Sequence, residues 1–199
     1  MKRINRSQIN KLKLSYTQKG YVIIKEFFSE AEMSQLRHWM NEVIRWPETT
    51  GKWLKYFESI KHPSAHHEDV VLSRVENFVR FHDGLTQLAD NEQLVSLLSV
   101  FLGEPALFFK EKLNIKPPGG RGYSAHQDAP AFFDIDFDAI SILASIDAMS
   151  IDNGCLYFAE NNHPFTQASP DVVESVRVIR RSSEVKPSPS LNQESLKPN

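Results

Sequence analysis

Beyond Gly103 and Pro105 the apolar residues stop recurring at helical spacing and begin to alternate, and this change of period limits the possible folds more than anything else in the chain. Before it, three segments read as helices. Residues 8–19 carry Ile9, Leu12 and Tyr16 at helical spacing and stop at Gly20. Ser29 followed by Glu32 is a capping box opening a helix whose apolar positions are Met33, Leu36, Met40, Val43 and Ile44. Asn91 caps a third helix, with Leu94, Leu97, Leu98 and Phe101, closed by Gly103 and Pro105. Between the first two, the β-branched run Tyr21-Val22-Ile23-Ile24 reads as a strand. After the change, Ala106 to Lys116 reads as a strand leading into the loop Pro117-Pro118-Gly119-Gly120. Ala139 to Asp147 is another, with Ile140, Ile142, Ala144 and Ile146 on one face and Ser141, Leu143 and Ser145 on the other. Asp152-Asn153-Gly154 is a tight hairpin turn, with Cys155 to Ala159 pairing back. Helices first and strands afterwards make an α+β chain, whose sheet is expected to curl into a barrel or sandwich.

Two stretches carry no clear period. From Trp46 to Val70 the pattern dissolves into an aromatic- and histidine-bearing region. His62, His66 and His67 stand there beside Glu68 and Asp69, but a zinc site needs a second ligand cluster that the sequence does not supply, so a solvated polar loop is the reading. From Phe165 onward, prolines at 170, 187, 189 and 198 alternate with serines and charges, and residues 165–199 are expected to be a divergent, disordered tail. Val172-Val173 with Val176 to Arg181 is the one short element that this tail admits.

At 199 residues the chain suits one domain with a real core. A net charge of -2 argues against a nucleic-acid binder, which needs a basic face for phosphates. The single Cys155 excludes an intrachain disulfide and fits a reducing compartment. The apolar stretch from Leu94 to Leu102 is too short to span a bilayer, and no signal-peptide core follows the N-terminal charges. Seven basic residues precede the first acid, Glu26, which could mark a mitochondrial address; the helical spacing of Ile9, Leu12 and Tyr16 favours a docked helix instead. The expectation is a cytoplasmic protein without nucleic-acid or membrane partners.

The chemistry-bearing stretch is His126-Gln127-Asp128. In a strand, positions i and i+2 face the same way, so His126 and Asp128 would share one face. An imidazole and a carboxylate so placed are two of the ligands of a 2-His-1-carboxylate facial triad, or else a hydrogen-bonded surface pair. A triad needs a second histidine. After His126 the only one is His163, beside a turn.

Several segments in order resemble the phytanoyl-CoA dioxygenase family, a branch of the Fe(II)/2-oxoglutarate oxygenases. The family's opening is similar to Gly20-Tyr21-Val22-Ile23-Ile24-Lys25-Glu26-Phe27-Phe28-Ser29, its metal strand to His126-Gln127-Asp128, and its hairpin and exit to Asp152-Asn153-Gly154-Cys155-Leu156 and then Asn162-His163-Pro164. The segment Lys110 to Lys116 before a Pro/Gly loop also resembles bacterial members acting on small cationic or phosphonate substrates. The resemblance covers residues 8–164 and implies N-terminal helices on a double-stranded β-helix, a cupin-like jelly roll. It implies that His126 and Asp128 bind Fe(II) and that 2-oxoglutarate is the co-substrate. By position, Asn114, Tyr123 and Ser141 match co-substrate contacts; a strand-end amide, a packing tyrosine and a core-edge serine are their plainer readings. Phe132 and Phe133 could wall a substrate pocket or simply pack.

The resemblance also implies a distal histidine and an arginine for the far carboxylate of 2-oxoglutarate, both beyond the turn. Only Phe165 to Asn199 follow here, without a histidine, and Arg177, Arg180 and Arg181 read as a solvated basic cluster. The expectation is therefore a C-terminally truncated member with residues 1–164 as a partial barrel. Two functions follow: a dioxygenase hydroxylating a small organic substrate, or a catalytically inactive ligand-binding or regulatory module of the same fold.

Overall fold

The computed structural model describes residues 1–61, 68–123, 138–158 and 176–180, the last in backbone only. They fall into two compact units, one of Met1–Arg3 with Phe28–Tyr123 and one of Ile4–Phe27 with Ser124–Asn199.

In the first unit, helix α2 runs Glu30–Arg45. Its capping box is formed as expected: Glu32 N–H donates to Ser29 Oγ (3.3 Å) and Ser29 N–H to Glu32 Oε2 (2.8 Å). Met33, Leu36 and Val43 are its buried face. Helix α4, Glu92–Leu102, is likewise capped where expected, Asn91 Oδ1 accepting from Gln93 and Leu94 N–H at 3.0 and 3.2 Å. Gly103 ends it at φ 86°. These helices and Phe28, Val75, Phe78, Val79, Leu85 and Ala106 supply the unit's buried apolar side chains.

Between α2 and α4 the structure forms strands where the sequence shows no clear period; of the expected polar loop, residues 62–67 lie outside the described residues and Glu68 and Asp69 belong to a strand. Leu54–Lys61 (β2) and Glu68–Glu76 (β3) pair antiparallel, and Lys112–Asn114 (β4) joins β3 to complete a three-stranded sheet. The strands escape a period-two reading because the faces do not separate polar from apolar. Lys55, Val75 and Leu113 stand opposite one another, and Val75 is fully buried. Lys55 tolerates that face by sending its Nζ to the last carbonyls of α2, 2.8 Å from Ile44 O and 2.5 Å from Trp46 O. Leu54 and Phe57 are about half exposed.

The expected strand over 106–116 is reduced to its last third. β3 ends at Glu76, and Asn77 takes φ 59°, which turns the partner away. Glu111 faces that turn and accepts the backbone N–H groups of Phe78 and Val79, the latter at 2.9 Å. There a 3₁₀ turn, Val79–Phe81, leads into helix α3, Asp83–Ala89. α3 starts on His82, whose Nδ1 accepts from Leu85 N–H at 3.2 Å. Trp39 leans edge-on against that ring at 5.4 Å and Trp46 stacks at 6.1 Å.

In the second unit, helix α1 spans Arg6–Lys19, two residues more than its apolar spacing predicts, because Asn5 and Gln8 form a reciprocal cap at 2.9 Å each way. Ile9, Leu12 and Tyr16 are half-buried. The strand expected at 21–24 is Ile23–Lys25 (β1), that expected at 139–147 is Ser141–Ala144 (β5), and Val176–Arg180 (β6) lies between them, parallel to both. Burial in and around β5 does not follow the apolar alternation: Ile142 is exposed, whereas Ser145 is buried with its hydroxyl on Asp147 O. At Asp152-Asn153-Gly154 the chain does turn, with Gly154 at φ 78°, but as a 3₁₀ turn over Ile151–Asn153, and Cys155–Phe158 form no strand. Ser150 N–H to Asn153 Oδ1 (2.7 Å) and Asn153 Nδ2 to Ala148 O (2.7 Å) hold the turn instead of a hairpin ladder.

The described residues are thus mixed helix and sheet, α+β, with one antiparallel and one parallel three-stranded sheet. They do not by themselves close a double-stranded β-helix. Among them no helix is long and apolar enough to cross a membrane.

Candidate functional site

A bulge and a glycine loop build a concavity that gathers residues of interest. Across β2 and β3, Tyr56 stands opposite Arg74 but Phe57 opposite Leu72, so Ser73 is an extra residue on β3. Such bulges bend a strand and re-aim its side chains. Ser73 Oγ donates to Tyr56 O at 3.1 Å, and Ser73 O accepts from Ile115 N–H at 2.8 Å, so the bulge joins β2 on one side to the end of β4 on the other. On the outer face Tyr56, Arg74 and Asn114 make one cross-strand row. The Arg74 guanidinium lies 4.1 Å from the Tyr56 ring centroid, and its Nε is 3.2 Å from Glu76 Oε1.

The chain leaves β4 through Pro117-Pro118-Gly119-Gly120, closed by Gly120 N–H to Pro117 O at 3.0 Å with Gly119 at φ 79°. Proline second and a positive-φ glycine third is the type II turn pattern. Both glycines are needed for closeness as well. A Cβ on Gly119 would lie 2.8 Å from Ile60 Cγ2, and one on Gly120 3.0 Å from Glu58 Oε1. The loop therefore rests on β2, where Glu58 Oε2 accepts the Arg121 N–H at 3.3 Å.

The residues on either side of this loop, Lys116 and Arg121, line an open cavity of about 290 Å³, near the lower end of small-molecule pockets. Asn114 and Tyr123, two of the three residues matched by position to co-substrate contacts, both line it. Ser73, Lys116 and Arg121 line it too, as does Glu58. Two cations, an amide and two hydroxyls suit a small carboxylate or phosphonate; the carboxylate of Glu58 does not.

Ser141, the third expected contact, heads β5 in the second unit, opposite Val176. His126 and Asp128 lie outside the described residues, as do Phe132, Phe133, His163 and the histidines at 62, 66 and 67. Among the described residues no three His, Cys, Asp or Glu side chains are grouped as metal ligands. Sequence reasoning missed Glu58 and Ser73, because β2 and β3 were not legible; the glycine pair next to Arg121 was the signal for a loop lying close to a sheet.

A second ionisable cluster lies on α2. With Nδ1 of His82 accepting from Leu85, the neutral ring carries its proton on Nε2, which donates to Glu42 Oε2 at 3.1 Å. His38 Nε2 is 3.3 Å from Glu42 Oε1. The His82 hydrogen bond, then the charges of His38 and His82, hold the Glu42 carboxyl below its ordinary 4.5 against the opposing effect of burial. Both ring nitrogens of His82 are occupied, so the cluster is structural.

Comparison with known proteins finds one family and several relatives. The family model for phytanoyl-CoA dioxygenase (PhyH) matches residues 16–169. A 2-aminoethylphosphonate dioxygenase from an uncultured bacterium is 38% identical over 156 residues, which is 78% of this chain and 57% of that protein. A methylphosphonate hydroxylase from Gimesia maris is 40% identical over 148 residues, 74% of this chain and 54% of the relative. A probable alpha-ketoglutarate-dependent hypophosphite dioxygenase from Stutzerimonas stutzeri is 27% identical over 184 residues, 84% of this chain and 59% of the relative. The chain spans little more than half the length of these curated relatives. No solved structure gives a significant match.

Proposed function

Because the chain belongs to the phytanoyl-CoA dioxygenase family, we propose that it carries the co-substrate wall and two metal ligands of an Fe(II)/2-oxoglutarate-dependent dioxygenase that hydroxylates a small organic substrate. The carrying observation is the cavity at the β3 bulge, which Asn114 and Tyr123 line together although they stand nine positions apart in sequence. In this reading the Asn114 amide and Tyr123 hydroxyl donate to a carboxylate of 2-oxoglutarate, while Lys116 and Arg121 set the positive potential that draws it in. Ser141 is a further co-substrate contact, and His126 with Asp128 are iron ligands. Bound iron supplies the oxygen activation; the residues named here bind, orient and neutralise charge. The names of the relatives favour small phosphonates as substrates. We read the antiparallel β2–β3–β4 sheet as one wall of the family's jelly roll, and the lone cysteine as fitting the cytoplasm.

Anaerobic titration with ferrous iron and 2-oxoglutarate tests the proposal. Charge-transfer absorption that requires both ligands, and is lost in His126→Ala, is the expected result. Absence of that absorption, together with no change in thermal stability on adding 2-oxoglutarate, would overturn it.

A further inference from the structure

Asn114 supplies the amide of the cavity, yet its own side chain does not hold it there. Among the described residues that amide makes no hydrogen bond, so its place in the lining is set by the backbone of β4. β4 pairs over only three residues, Lys112 with Glu76, Leu113 with Val75 and Asn114 with Arg74. So short a ladder has few bonds of its own, and the anchors at its two ends decide where the strand lies. Its foot is anchored at the bulge, where Ile115 N–H donates to Ser73 O at 2.8 Å. Its head is anchored by a side chain. Glu111 Oε1 accepts the N–H groups of both Phe78 and Val79, the latter at 2.9 Å. These groups open the 3₁₀ turn that follows β3, which has no side-chain N-cap of its own. Phe78 and Val79 are buried, so their donors need a partner other than water. The Arg80 guanidinium, 4.9 Å from the Phe108 ring centroid, ties the same turn to the residues ahead of β4.

We propose that Glu111 is a positioning residue for 2-oxoglutarate: by fastening the head of β4 to the turn after β3, it fixes the register that presents Asn114 to the co-substrate. This rests on the reading of the cavity as the 2-oxoglutarate site. Glu111 is outside the lining and acts through Asn114. The register it holds has no good neighbour. A slip of one residue would turn the Asn114 side chain to the opposite face. A slip of two, in either direction, would set Lys112 or Lys116 against Arg74, a like-charge pair. Release of the head therefore frays β4 and leaves the Asn114 amide without a fixed direction.

The test is a calorimetric titration of the whole chain with 2-oxoglutarate, ferrous iron present and oxygen excluded, for wild type, Glu111→Ala, Asn114→Ala and the double variant. Asn114→Ala is expected to bind about tenfold more weakly, the loss of one hydrogen bond to a charged group, and Glu111→Ala about fivefold more weakly. Adding Glu111→Ala to Asn114→Ala should change affinity by less than about twofold, because Glu111 then has no amide left to place. A merely structural role would weaken binding by the same factor in both backgrounds; that result, or wild-type affinity in Glu111→Ala, overturns the proposal. Glu111→Gln keeps an oxygen that can accept both N–H groups and is expected to bind within about twofold of wild type. A loss there as large as in Glu111→Ala also overturns it. If Glu111→Ala does not fold, Glu111→Asp carries the same cycle: its side chain is one methylene too short for both N–H groups, and binding about threefold weaker is expected only where Asn114 is present. The two readings fail differently. Affinity that depends on Asn114 but not on Glu111 removes this inference and leaves the co-substrate wall intact. Wild-type affinity in Asn114→Ala removes this inference together with the place of Asn114 in that wall, and no binding by wild type removes both readings.

Discussion

Glu42 and His82 stand 40 residues apart in sequence and 3.1 Å apart in space, and their hydrogen bond fixes which nitrogen of His82 is free to start α3. Histidine is not among the favoured N-cap residues. It works here because Glu42 takes the Nε2 proton, which leaves Nδ1 as the acceptor for Leu85 N–H. The carboxylate on α2 thus controls the first turn of a helix it does not belong to.

Removing that control should be visible in a pH-resolved melt. The folded-state pKa of Glu42 lies below the ordinary 4.5, so its contribution is present above that value and lost as pH falls through the folded one. Glu42→Gln should melt lower than wild type near neutral pH, and the gap should close on acidification below 4.5. A gap that is constant across the whole acid range would show that the charge of Glu42 has no part in it.

Gly84, in the first turn of α3, tests the packing on the same cap. A Cβ there would lie 2.3 Å from Trp39 Cζ2, and the indole is already set edge-on against His82. Gly84→Ala gains up to about 1 kcal/mol in helix propensity but must displace the ring, at a cost of about 1–3 kcal/mol. Net destabilisation in urea unfolding is expected, and Trp39→Phe should relieve part of it; a stabilised Gly84→Ala would refute the contact.

These two sites also mark where sequence reasoning ran out. α2 and α4 were legible because Ser29/Glu32 and Asn91/Gly103 are local signals, complete within a few residues. α3 was not, because its cap depends on Glu42, far away in the chain. β2 and β3 were hidden for a related reason: Lys55 occupies an inward position that only the C-terminal carbonyls of α2 make tolerable, and Ser73 interrupts the alternation. Ala106–Lys116 erred in the opposite sense. Its apolar run reads as a strand, yet Leu107 is 90% exposed and only Lys112–Asn114 pair in register, with Ile115 N–H following on Ser73 O. Of the candidate site, Asn114 and Tyr123 were reached through family position, while Glu58, on an unrecognised strand, was out of reach.

Lys55 carries a prediction of its own. Lys55→Met keeps the apolar stem on the core-facing side and deletes the donor that serves Ile44 O and Trp46 O. Loss of a charge-assisted cap at a helix C-terminus should cost about 1–2 kcal/mol in chemical unfolding. Hydrogen exchange should locate the loss in the last turn of α2, with Ser29 and its neighbours unaffected; uniform loosening of the helix would contradict the capping role.

Three glycines separate strain from space. Gly51 has φ 77° and open space within 4 Å of where a Cβ would stand, Gly119 has φ 79° with Ile60 Cγ2 at 2.8 Å from that point, and Gly122 has neither a positive φ nor a neighbour. Alanine at Gly51 should cost only the left-handed penalty of about 1–2 kcal/mol. Alanine at Gly119 should cost more, because the turn must also lift from β2 and loosen Arg121 N–H from Glu58. Alanine at Gly122 should stay within about 0.5 kcal/mol of wild type. Since Gly119 seats the loop that joins Lys116 to Arg121 in the cavity lining, Gly119→Ala should also weaken 2-oxoglutarate binding, whereas Gly51→Ala, outside that lining, should not. Equal losses of affinity in Gly51→Ala and Gly119→Ala would mean that general destabilisation, and not the seating of the loop on Ile60, governs the site.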